Sequence, residues 1–133
     1  MSFRALSLAV AVVALAGPAF AHHSFAMFDA DKTATLDGTV KEFEWTNPHS
    51  WIRVTVADQK TGKDLQWAIE MGSPNQIAQR GWSPTTIKPG DKIKLTIHPL
   101  KDGSRGGQFM AAVLQSGQRL ANPGINYDPI GRD

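Results

Sequence analysis

The chain has no cysteine, one tyrosine, little net charge and no apolar run longer than the stretch from Ala5 to Ala16. Without cysteine there are no disulfide staples, thiolate zinc sites, iron–sulfur clusters, cysteine nucleophiles or His2Cys copper sites. Stability must come from a packed core, for which four tryptophans and the β-branched runs supply the material. With 14 basic and 12 acidic side chains the formal charge is only +2, which argues against strong electrostatic binding to nucleic acid or an anionic membrane. A nucleophile elbow and a His-Glu-x-x-His motif are also missing. The glycines from Gly103 to Gly107 are followed by a strand-like segment and not by the helix that phosphate binding needs.

The start of the chain reads as an export signal. Met1-Ser2-Phe3-Arg4 is short and positive, Ala5 to Ala16 is apolar, Gly17-Pro18 breaks the run, and Ala19-Phe20-Ala21 has the small residues that signal peptidase takes. Residues 1–21 are therefore expected to be a signal peptide cleaved after Ala21. The apolar run is too short to span a bilayer, and no cysteine follows it to carry a lipid. The mature protein is expected to be periplasmic and free of membrane spans, to begin at His22 and to carry a formal charge of about +1.

Residues 22–32 form a lead segment, 33–120 a barrel domain and 121–133 an irregular, proline- and glycine-containing tail. From Thr33 to Trp45 the apolar residues switch parity, Leu36, Gly38 and Val40 on one phase and Phe43 and Trp45 on the other, so a strand with a bulge near Lys41-Glu42 is expected. Thr46-Asn47-Pro48-His49-Ser50 is a turn. Trp51 to Ala57 and Leu65 to Met71 alternate and should pair across the Lys60-Thr61-Gly62-Lys63 turn. Ser73 and Pro74 open a short helix to about Arg80, stopped by Gly81. Two further strands, Lys92 to His98 and Gln108 to Gln115, complete the series. Three strands, a short helix and two strands predict an all-β fold, a small five-stranded OB-fold-like β-barrel.

Chemistry-bearing residues are few. A mature terminus at His22 offers its amine, whose pKa lies near ~8, and its ring Nδ1 as a chelate for one metal ion, with His23 adjacent. A second imidazole would complete a histidine brace, a donor set that suits copper and also zinc or nickel. In an OB-like barrel His49, His98, Glu70 and Met71 fall at one pole. Parity assigns His98 to the solvated face of Lys92 and Lys94, and Met71 to the core with Trp67 and Ile69, while Met27 beside Phe25 and Phe28 pins the lead segment to the barrel. His49 is the first choice of partner for His22, with Glu70 behind it or as an extra ligand. The 11 residues from His22 to Lys32 span roughly 35 Å when extended, enough to reach either pole. A different reading makes the face around Trp51, Arg53 and Glu70 the functional surface.

His22-His23-Ser24-Phe25, Gly38-Thr39-Val40, the segment Trp45-Thr46-Asn47-Pro48-His49-Ser50-Trp51, Glu70-Met71-Gly72-Ser73-Pro74-Asn75 and Arg80-Gly81-Trp82 together resemble an uncharacterised family of small exported bacterial proteins, a domain of unknown function. The resemblance covers essentially the whole chain after Ala21. It implies a periplasmic, Gram-negative setting and a β-barrel, and brings no known activity. Two functions follow from the residues. The first is a copper-binding carrier or accessory, not a catalyst, whose partners are the metal ion and another periplasmic protein. The second is a non-catalytic module binding a peptide, glycan or small ligand at Trp51 and Arg53. Mass spectrometry of the exported protein is expected to read His-His-Ser-Phe at its start; a start at any other residue removes the terminal chelate.

Overall fold

Alternating apolar residues become strands close to where the pattern places them. The computed structural model of the protein describes residues 25–123. A 3-10 turn (Phe25–Met27) leads into β1 (Ala34–Glu44), β2 (Trp51–Ala57), β3 (Asp64–Glu70), helix α1 (Pro74–Ala78), β4 (Lys92–Pro99), β5 (Gly106–Leu114) and β6 (Arg119–Ala121). The order across the sheet is β3-β2-β1-β4-β5-β6, and β3 also pairs with β5. That last pairing is parallel, Ala68 to Gly106, Ile69 to Gly107 and Glu70 to Gln108, and it closes five strands into the OB-like barrel. Among the described residues no helix is long and apolar enough to cross a membrane.

The phase change in β1 is a bulge: its register against β2 shifts between Val40 and Glu42. Leu36 and Val40 are buried before it, while Phe43 and Trp45 pack against the core after it. Gly38 lies across from β2 where an added Cβ would sit 3.1 Å from Val54 Cβ. Ile52, Val54, Ile69, Leu95 and Ile97 are fully enclosed, and Phe43, Trp82 and Phe109 stack ring against ring at 5.7 and 5.5 Å. Trp82 gets there by local chemistry. Ser73 and Gln76 form a reciprocal capping box at the start of α1, with Pro74 in its first turn. The helix stops at Ala78, before the expected Arg80, because the chain turns through Gly81 at φ 93° and Trp82 N–H returns to Ile77 O at 3.1 Å.

Two elements differ from the pattern. Arg119–Ala121 forms a sixth strand beside Ala111–Val113, along the part of the β5 edge beyond its pairing with β3, so Ala121 belongs to a strand and not to the expected tail, whose residues 124–133 lie outside the described residues. Its single buried side chain, Leu120, is too short a signal for a period-of-two reading. In the lead segment it is Phe28 that is buried and bridges Leu100, whereas Phe25 and Met27 stay exposed.

Closure rests on bare backbone at the β3–β5–β4 junction. A Cβ on Gly107 would lie 2.6 Å from His98 O and 2.6 Å from Ile97 Cδ1. Gly107→Ala is therefore expected to cost about 2 kcal/mol through strand displacement, read as a lower urea midpoint; an unchanged midpoint would show that the junction yields freely.

Candidate functional site

Hydrogen bonding between β2 and β3 continues past both strand ends. Ser50 N–H donates to Gly72 O at 3.0 Å and Met71 N–H to Ser50 O at 2.9 Å. The preceding turn contains a cis Asn47–Pro48 bond, and Thr46 Oγ1 donates to His49 O at 3.0 Å. This anchoring sets the His49 ring against the end of β3, where Nδ1 donates to Met71 O at 2.9 Å. A carbonyl only accepts, so Nδ1 carries a hydrogen, which in a neutral imidazole leaves the lone pair on Nε2. Glu70 Oε1 lies 3.5 Å from the same Nδ1; its side chain is 8% exposed against 31% for His49. Both acceptors stand at one edge of the ring, leaving the other edge for a ligand.

This pair borders a pocket of about 430 Å³ among the 3-10 turn, the end of β3, α1, β5 and the segment after β6. Phe25, Phe28, Phe109 and Met110 give it apolar wall. Arg80 and Asn122 add polar wall: Arg80 Nη1 donates to Asn122 Oδ1 at 3.0 Å, and Asn122 Nδ2 to Phe109 O at 2.6 Å. Arg80 entered the sequence reading only within the Arg80-Gly81-Trp82 motif and not as a site residue, and Asn122 had no signal beyond proximity to Pro123. Beside the pocket but not lining it, Ser50 has a buried hydroxyl without a hydrogen-bond partner among the described residues, and its phase with Ile52 and Val54 turns it inward.

Register explains which predicted residues meet. Glu44, Trp51, Glu70, Gln108 and His98 are successive partners across β1, β2, β3, β5 and β4. His98 thus stands two strands from Glu70, about 10 Å along the sheet. It is half-exposed, as is Lys94 on the same face, and its Nδ1 donates to Lys32 O at 2.7 Å, which holds the lead segment. Met71 is buried in the core as its parity predicts. Trp51 and Arg53 do come together, but with each other: Arg53 Nε donates to Glu44 Oε1 at 2.7 Å, and the guanidinium stands 5.6 Å from the Trp51 ring centroid. The Glu44 hydrogen bond raises the pKa of Arg53, against a smaller opposing effect of burial. His22 and His23 lie outside the described residues, and among the described residues no three His, Asp or Glu side chains cluster to hold a metal ion.

A larger open concavity, about 940 Å³, lies against β1, β4 and β5, and two of its three lysines are engaged. Lys94 Nζ is 3.6 Å from Asp37 Oδ1, and Lys92 Nζ donates to Thr39 Oγ1 at 2.6 Å.

Comparison with known proteins adds a family and little else. The model of a family of unknown function (DUF6152) matches residues 9–110. No curated protein matches the sequence at a significant level. The crystal structure of a mitochondrial single-stranded DNA-binding protein, Rim1 of S. cerevisiae, is similar at a TM-score of 0.48 and 11% identity, over 62% of this chain and 92% of that one. Likeness at that level carries no functional argument. The ring geometry itself is testable: long-range proton–nitrogen NMR above neutral pH is expected to show His49 protonated at Nδ1 and bare at Nε2. The opposite tautomer would mean that Nε2 is not the nitrogen open to a ligand.

Proposed function

Because the chain belongs to DUF6152, a family of unknown function, its role has to be read from its own residues, and we propose that it is a periplasmic copper-binding carrier or accessory. Its ligands would be the amine and ring of His22 together with Nε2 of His49, with His23 adjacent. The observation that carries this reading is the bond from His49 Nδ1 to Met71 O at 2.9 Å. A metal-binding imidazole commonly gives its other N–H to a carbonyl or carboxylate, which fixes the tautomer and aims the lone pair. Here both acceptors stand ready, Met71 O and the Glu70 carboxylate. Glu70 is at the Nδ1 edge, so in this geometry it supports the ring from behind and does not share a metal at Nε2.

Connectivity supports the other half. Phe25 lines the same pocket as His49, and His22 is three residues before it, a reach of about 10 Å. Amine and imidazole nitrogens suit Cu(II), and zinc or nickel less strongly than copper by the usual order of affinities. No thioether or thiolate is required. A carrier of this kind would pass its ion to another exported protein.

Cu(II) titration of the processed protein, followed by calorimetry and electron paramagnetic resonance, tests the reading. One tightly bound ion with a nitrogen-rich signal is expected. One alanine added before His22 should destroy that signal, His49→Ala should remove one nitrogen from it, and Glu70→Gln should weaken binding by about tenfold. Equal, weak binding by all four proteins would make the terminal histidines incidental.

A further inference from the structure

The pocket beside His49 contains a cation that the fold leaves for something else. The ion pairs among the described residues are made by Lys32, His49, Arg53, Lys88 and Lys94. Arg80 instead donates to a neutral amide oxygen, Asn122 Oδ1. Asn122 is itself held, its side chain donating to Phe109 O at 2.6 Å and its N–H to Met110 O at 2.8 Å. The guanidinium is thus positioned through one of its five donors, and no carboxylate among the described residues pairs with its charge.

A second donor stands at the same wall. Gln76 lines the pocket, and its Oε1 is committed to Ser73 N–H at 3.0 Å in the capping box. The amide orientation is therefore set, leaving its two Nε2 hydrogens as donors. Gly72 makes that orientation feasible, since a Cβ there would come within 2.7 Å of Gln76 Oε1. Among the described residues Phe25 is 68% exposed, and it lines the pocket together with Phe28 and Met110, which are themselves largely buried. A volume near 430 Å³ falls in the range of small-molecule sites, ~300–1,000 Å³, which combine apolar walls with a few fixed polar groups.

We propose that this pocket binds a small organic carboxylate, its headgroup on Arg80 and Gln76 and its apolar body against Phe25, Phe28 and Met110. Arg80 offers the planar fork that a carboxylate accepts in two parallel bonds. Glu70 is the one carboxylate of the pocket wall, and it stands against the His49 ring, so it opposes the ligand's charge and sets a test of sign. The proposal is independent of any metal at His49.

The test uses the processed protein in EDTA, titrated with 3-phenylpropionate and with its uncharged amide, 3-phenylpropionamide, by calorimetry and amide NMR shifts. The carboxylate is expected to bind with shifts at Gln108 and Phe28, and the amide at least about tenfold more weakly. Arg80→Gln should remove that preference, Arg80→Lys should keep part of it, Glu70→Gln should tighten carboxylate binding, and Lys60→Gln, in the exposed β2–β3 turn, should change nothing. Equal binding of acid and amide by the unaltered protein, no binding of either, or an unchanged preference in a folded Arg80→Gln variant would overturn the proposal. If circular dichroism shows that Arg80→Gln does not fold, the acid–amide comparison in the unaltered protein decides alone. Chelation separates this result from the copper titration, so either reading can fail without the other.

Discussion

Everything else in this molecule depends on the parallel pairing of three residues of β3 with three of β5. Until Ala68, Ile69 and Glu70 meet Gly106, Gly107 and Gln108, the chain is an open antiparallel sheet with its two edges unpaired. Loop-closure entropy opposes such a late, non-local contact, and bare glycine backbone lets the strands come close enough to offset it. A Cβ on Gly106 would fall 2.8 Å from Leu100 Cδ1 and 3.1 Å from Ala68 O, so the junction admits little besides glycine. The same closure sets Glu70 beside Gln108 and determines the wall of the pocket.

Polar chemistry then gathers where the barrel's regular hydrogen bonding ends. Beyond Trp51 and Glu70 the β2–β3 ladder continues for one more turn through Ser50, Met71 and Gly72, and the next acceptor, Met71 O, goes to an imidazole instead of a backbone amide. One strand terminus thereby satisfies its backbone and orients a ring in a single contact. Glu70, 8% exposed, lies beside the same ring, its Oε1 3.5 Å from Nδ1. Arg53, one step away on the outer face, pairs its charge with Glu44 and stands over the Trp51 ring, whereas Arg80 in the pocket meets no carboxylate partner among the described residues.

The barrel was legible because its signals are periodic. Strict alternation in β2 and β4, a parity switch in β1 and an Ser-Pro helix start each report backbone geometry through adjacent residues. His49 and Glu70 could be picked out as candidates, since a turn ending in Ser50 before one strand and the end of its hairpin partner must lie together. Arg80 and Asn122 were invisible for the opposite reason: they are 42 positions apart, on a helix end and after a three-residue strand, and only tertiary closure brings them into contact. His98 shows the limit of parity, which gives the face of a sheet but not what covers it. Lys32 O comes to that face from the lead segment, and no alternation in β4 encodes its arrival.

That lead segment also resolves the question of reach. Eleven extended residues before the barrel allow the mature terminus to visit either pole. The chain is in fact tied down along most of that length: Lys32 O accepts from His98, Asp29 N–H donates to Pro99 O at 2.8 Å, Phe28 bridges Leu100, and Lys101 N–H donates to Met27 O at 3.0 Å. These contacts use the free backbone around the β4–β5 connection and deliver Phe25 to the pocket wall. His22 stands three residues before Phe25, a reach of about 10 Å. If processing exposes His22, as proposed, its amine starts from the pocket wall and not from the first strand, which raises its effective concentration at His49. The fold would then serve the proposed metal site twice, by orienting an imidazole and by bringing the chain that leads to the second donor up to the pocket.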